Sequence, residues 1–227
     1  MTLTSKTTGV VHASRGVVAS SQQLASEVGA ELLREGGSAV DAAIGTNAML
    51  SLIEPYMCGP GGDLFAQVWS PGDRSLSGIN ASGHAPINQA LGELQARLDG
   101  AEEIPPNGVH AITTPGAARG WAALHERFGR LPLAKIFAPV IDYGRRGVKV
   151  GAATSIWWQH AAAAVIDDPS IESLKPAFRR TFLFNDAPPS PGQTIRNPDL
   201  ADTYQAIVDG GFDDVYSGRI GAHARQS

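Results

Sequence analysis

The chain has 227 residues, 43% apolar and 18% charged, with a formal net charge of -4. That is enough for one large domain or two small ones with a substantial core, an ordinary globular composition, and no basic footprint for nucleic acid. The single cysteine, Cys58, excludes an internal disulfide, and the opening MTLTSKTTGVVHASRG lacks the apolar stretch of a signal peptide, so a cytoplasmic protein is expected, with no nucleic-acid or membrane partner.

In chain order, residues 1–15 read as a tail and residues 16–227 as one unit. The stretch 16–20, GVVAS, has the character of a short buried strand. Ser20 or Ser21 can then cap a helix in which Leu24, Val28 and Leu32 recur at i, i+4 and i+8 to make one apolar stripe. Glu35-Gly36-Gly37 stops it, because glycine tolerates the left-handed conformation at a helix end. Ser38-Ala39-Val40-Asp41 opens the next helix as a capping box would, and the residues from Ala39 to Leu52 are apolar on most sides, which predicts a buried helix.

Two strands follow, Leu64–Trp69 and Ser75–Asn80, joined into a hairpin by the turn residues SPGDR. A helix is expected over Gln89–Leu98, a loop through EEIPPNG, and another short strand over Gly108–Ile112. An amphipathic helix spans Ala117–Phe128, with further helices over Leu133–Tyr143, Thr154–Ile166 and Leu200–Val208. The Pro- and Asp-rich stretch from Asp167 to Asp199 reads as a long surface excursion. The chain ends inside what reads as a starting helix, so the front part of a longer protein is expected. The fold class is α/β, helices layered on sheet.

The chemistry-bearing residues are sparse. Six histidines stand at 12, 84, 110, 125, 160 and 223 without shared ligand spacing, so no metal is expected. Gly59-Pro60-Gly61-Gly62-Asp63 leads from a helix into a strand, the reverse of a dinucleotide fingerprint, and there is no phosphate loop, so no cofactor is expected. Cys58 has two readings, a nucleophile that would need a base and an electropositive pocket, or a small side chain in packing. The adjoining glycines, Gly59, Gly61 and Gly62, likewise read either as a structural turn with close backbone approach or as main chain laid against a ligand. No group of residues forms a catalytic constellation.

Several motifs in order do carry a resemblance: GVVAS, LLREGGSAVDAAI, EPYMCGPGGDLFAQVW, NASGHAP, HAITTPGAARGWAALHERFGRLPLAKIFAPVIDYGRRG and NPDLADTYQAIVDGGFDDVYSGRIGAHA. From Gly9 onward the chain resembles the N-terminal part of the large subunit of γ-glutamyltransferases, a family of glutathione hydrolases and related acylases. The resemblance implies an N-terminal-nucleophile hydrolase, an αββα sandwich of which this chain would be an incomplete portion. Such precursors cut themselves, and a threonine at the new small-subunit terminus is the nucleophile, with its own α-amine as base. The resemblance therefore implies no catalytic residue in this chain, a partner in its own small subunit, and an amide substrate such as a γ-glutamyl compound. It also puts the glycine turn near the substrate pocket.

One position departs from the family. Glutathione-processing members grip the substrate carboxylate with the arginine of an Arg-Glu-x-Ala-Pro run; anchored on Ala85-Pro86, that arginine falls at Ser82. Serine cannot form a bidentate charged pair. Ser82, Gly83 and His84 are the candidate substrate-binding residues, with His84 either a partial positive charge near neutral pH or a plain loop histidine. The alternatives are an acylase or oxamate-type amidohydrolase of the same family, or a non-catalytic fragment.

Overall fold

The computed structural model describes residues 12–87 and 90–224; Gly9 and Gln89, where the resemblance and one expected helix begin, lie outside the described residues. The stretch 16–20 forms no strand. Val17 is 60% exposed, and among the described residues no neighbouring strand receives its main-chain hydrogen bonds.

Helix α1 (Gln23–Arg34) buries Ala25, Val28, Gly29 and Leu32, with Leu24 at the edge of the core. Its N-cap is Gln22 and neither serine caps it: the Ser21 hydroxyl instead donates to Glu54 Oε2 at 2.6 Å, while the Gln22 amide donates to Glu54 Oε1. Glu54 is buried, so its carboxylate needs these donors, and they override the local capping preference.

Helix α2 (Ala39–Ile53) starts with both arms of the capping box in place, Ser38 N–H donating to Asp41 Oδ2 at 2.7 Å and Asp41 N–H to Ser38 Oγ at 3.1 Å. It is buried on most sides, as its composition requires.

Strands β1 (Leu64–Ser70) and β2 (Ser75–Ala81) pair antiparallel, from Leu64 opposite Ala81 to Ser70 opposite Ser75. The period of two sends Leu64, Ala66, Val68 and Ile79 toward the helices and leaves Phe65, Trp69 and Leu76 exposed. Helix α3 (Leu91–Arg97) lies on the surface without a buried residue. The strand expected over 108–112 is a 3-10 turn, Val109–Ala111; its apolar residues face outward and have no strand to join.

Helix α4 (Ala117–Phe128) follows, then α5 (Leu133–Arg146), strand β3 (Val148–Lys149) and α6 (Ala152–Ile166). The stretch 167–199 is more structured than its composition implies. It holds a 3-10 segment (Pro169–Leu174), helix α7 (Lys175–Phe182) and strand β4 (Thr194–Ile195), which pairs antiparallel with β3. Helix α7 is anchored by the Trp158 indole N–H, which donates to Phe182 O at 3.0 Å. Helix α8 (Pro198–Gly210) is capped by Asn197, and α9 (Arg219–Ala224) follows. No helix among the described residues is long and apolar enough to cross a membrane.

The core lies where α2, α4, α5 and α8 converge. Phe137 stacks on Tyr204 with centroids 5.0 Å apart, and Trp121 leans on both. Ser51 Oγ donates to Ala48 O, so the fully buried Tyr204 hydroxyl donates to Ser51 Oγ at 2.7 Å, which satisfies a group otherwise costly inside an apolar cluster.

Candidate substrate cavity

The glycine turn does not make the close approach expected of it. None of Gly59, Gly61 and Gly62 has positive φ, and a Cβ at Gly59 or Gly61 would meet nothing within 4 Å. At Gly62 the nearest atom would be Gly59 O, at an ordinary 3.5 Å. The turn acts through main chain instead: Gly62 C=O accepts from Gly116 N–H at 3.0 Å and Ala117 N–H at 2.8 Å. Those donors open α4, whose N-cap Gly116 offers no side-chain acceptor.

The tight contacts lie at the other side of that junction. A Cβ on Gly116 would sit 2.1 Å from Ala81 O, and one on Gly83 only 1.8 Å from Thr114 O, at φ +77. Gly120 would meet Ala81 and Leu64 at 2.9 Å. Glycine on α4 thus lets the end of the hairpin rest on the helix.

Cys58 lines a groove of about 570 Å³ with Gly59, Gly61 and Gly62. Burial, and then the nearby Glu54 carboxylate, push its thiol up to about 11. A protonated thiol is a poor nucleophile at neutral pH, which favours the packing reading.

Ser82, Gly83 and His84 come together on a separate cavity of about 530 Å³, between the end of β2 and α4. Their loop is zipped by its backbone: Ser82 N–H donates to Asn80 Oδ1 at 3.0 Å, Thr113 Oγ1 donates to Ser82 O at 3.1 Å, and Thr114 N–H to His84 O at 2.9 Å. The Ser82 hydroxyl takes no part in these bonds.

Sequence reasoning missed two further residues of this cavity, Arg119 and Tyr216. Arg119 Nη1 reaches Asp213 Oδ1 at 2.7 Å, and its guanidinium lies 4.8 Å from the centroid of the Tyr216 ring. The Tyr216 hydroxyl accepts from Arg119 N–H and donates to Pro115 O, both at 2.9 Å. Both partners of the Arg119–Asp213 pair are more than half exposed, so the pair is worth about 0.2–1 kcal/mol. The one signal available in the sequence was the run Gly116, Arg119, Gly120, Ala123, a cation alone on a face of small residues. Among the described residues, no group of His, Cys, Asp or Glu is placed to hold a metal ion. The cavity offers a cation and hydroxyls, equipment for binding rather than bond breaking.

Residues 25–225 match the gamma-glutamyltranspeptidase family profile. The oxamate amidohydrolase proenzyme of Klebsiella pneumoniae is 32% identical over 217 residues, covering 93% of this chain and 39% of the relative. The chain thus spans about two-fifths of that relative's length. Among solved structures it is similar to the cephalosporin acylase of Bacillus halodurans, with TM-score 0.88 and 36% identity over 96% of this chain and 40% of that one. It also shares the fold of the Helicobacter pylori gamma-glutamyltranspeptidase, with TM-score 0.84 and 21% identity over 96% of this chain and 61% of that one. These likenesses bear out the α/β, N-terminal-nucleophile hydrolase fold expected from the sequence. With a profile match over nearly its whole length, the chain belongs to the gamma-glutamyltranspeptidase family.

Proposed function

We propose that this chain is the substrate-binding front part of an amide hydrolase or acyltransferase, whose bond-breaking threonine lies on a further segment released by self-cleavage. The observation that carries this is the cavity at Ser82–His84, which offers binding groups, in a chain of the family. The threonine hydroxyl would attack the amide carbonyl and pass its proton to its own α-amine. The substrate's C–N bond then breaks, its amine leaving with the proton handed on by the α-amine, and water or an acceptor amine releases the acyl group from the ester.

Ser82 favours the acylase or amidohydrolase branch over glutathione processing. Taking a bidentate guanidinium–carboxylate pair out of a desolvated pocket costs on the order of 2–5 kcal/mol. The Klebsiella relative carries the name oxamate amidohydrolase, which agrees with a substrate other than a γ-glutamyl compound.

The test is kcat/KM in the chain joined to its completing segment. Slow turnover of glutathione is expected, with Ser82→Arg raising it. Residues 1–227 alone should neither cleave themselves nor hydrolyse γ-glutamyl-p-nitroanilide; turnover by the isolated chain that Cys58→Ala abolishes would overthrow the reading.

A further inference from the structure

We infer that Arg119 is the carboxylate-binding residue of the Ser82–His84 cavity, which selects substrates carrying an acid group. This rests on the proposed function for the word substrate; the binding itself does not. Gly116, Arg119, Gly120 and Ala123 all line the cavity, and their spacing of i, i+3, i+4 and i+7 puts them on one face of α4. Three of the four have at most a methyl side chain. The helix therefore presents a single functional group to the cavity, and that group is a guanidinium. Two of the small neighbours are fixed by the packing of the hairpin end on α4, since a Cβ would come within 2.1 Å of Ala81 at Gly116 and 2.9 Å of Ala81 and Leu64 at Gly120.

The guanidinium is held ready. Tyr216 lies beneath it, and the same tyrosine fixes the first turn of α4 through its two hydroxyl hydrogen bonds. Stacking on an aromatic face leaves the N–H edges of a planar guanidinium available for a carboxylate. Asp213 occupies one of those donors, Nη1, in a pair exposed to water on both sides. Such a pair is weak, so an incoming carboxylate competes with Asp213 on nearly even terms. Ser82, on the same cavity, is short and leaves its hydroxyl as a further donor. Arg119 thus brings positive charge to the cavity from the helix opposite, at a place other than position 82, so the acid group it holds stands elsewhere than one gripped from residue 82 would.

A purely structural Arg119, tying α4 to the segment around Asp213, makes different predictions. The experiment measures equilibrium binding of glutaramate, an amide with one carboxylate, and of neutral glutaramide, to the completed protein and its variants. Glutaramate should bind at least about tenfold tighter than glutaramide. Arg119→Ala should erase that preference by weakening glutaramate alone. Arg119→Lys should keep part of it, having charge without the fork. Asp213→Asn should tighten glutaramate severalfold by removing its competitor, whereas a structural ion pair would give no gain.

Equal or undetectable binding of the two probes to the unaltered protein, or a preference that survives Arg119→Ala, overturns the inference. If Arg119→Ala does not fold, Asp213→Asn and Arg119→Lys decide. The reading is of binding, so absent amide turnover with a preserved acid preference would sink the proposed function and leave this assignment standing.

Discussion

Asp41 lies with its carboxylate wholly inside the helical body, accepting hydrogen bonds from Ser38, Arg130 and Leu131 main-chain N–H groups. One side chain thus caps α2 and also pins the connection between α4 and α5. Asp41→Ala would remove a cap and leave three part-buried main-chain donors without their acceptor, each worth about 1–3 kcal/mol. A loss of about 3–5 kcal/mol in urea unfolding is expected, with Asp41→Asn milder because one oxygen still accepts. Cys58 gives a second prediction at this scale. Its thiol is raised from 9.0 to about 11, so at pH 8 its thiolate fraction, and its rate of alkylation by iodoacetamide, should be on the order of a hundredfold below those of an unperturbed thiol. The sign follows from burial: the charged form is the one disfavoured, so reactivity should climb through pH 9–11 rather than level off near 9.

At the scale of elements, the junction of hairpin and α4 reverses the expectation for the glycines. Gly61→Ala should fold normally, since its Cβ would meet nothing within 4 Å, while Gly83→Ala should cost about 3 kcal/mol through positive φ and collision with Thr114 O. Thermal melts of the two variants check this, and equal melting temperatures would contradict it. What the sequence made legible here was local. The capping box of α2 needs only Ser38 and Asp41, the hairpin needs its turn and its alternation, and α4 needs its own periodicity. Strands expected over 16–20 and 108–112 failed because a strand exists only with a partner, which their own residues cannot specify. Helix α7 was hidden by proline; Pro176 stands in its first turn, where proline is tolerated, and reads as a breaker only out of context. The site was half legible for the same reason. Ser82 and His84 sit in one motif, but Arg119 and Tyr216 join them only when α4 and the segment after α8 fold against the hairpin end.

For the molecule as a whole, the hairpin is a part with open edges. Among the described residues the outer edges of β1 and β2 carry no further strand, and Phe65, Trp69 and Leu76 face outward beside them. Unpaired edges with an apolar face invite association with other chains. Trp69 and Leu76 stand directly opposite each other, so Trp69→Lys with Leu76→Glu would replace an apolar pair by opposite charges. That double variant of residues 1–227 should scatter less light at raised concentration than the unaltered chain, with its helical circular dichroism unchanged; equal scattering would place the sticky surface elsewhere. The hairpin is nevertheless seated firmly at its root, where Gly62 C=O receives the two N–H groups that open α4. Both sides of that fastening are peptide groups, which every amino acid but proline supplies alike. Substitution can therefore rewrite the neighbouring Ser82, His84 and Arg119, and with them the choice of acid, while the frame that holds them stays in register; an added or deleted residue in the turn cannot be absorbed in this way.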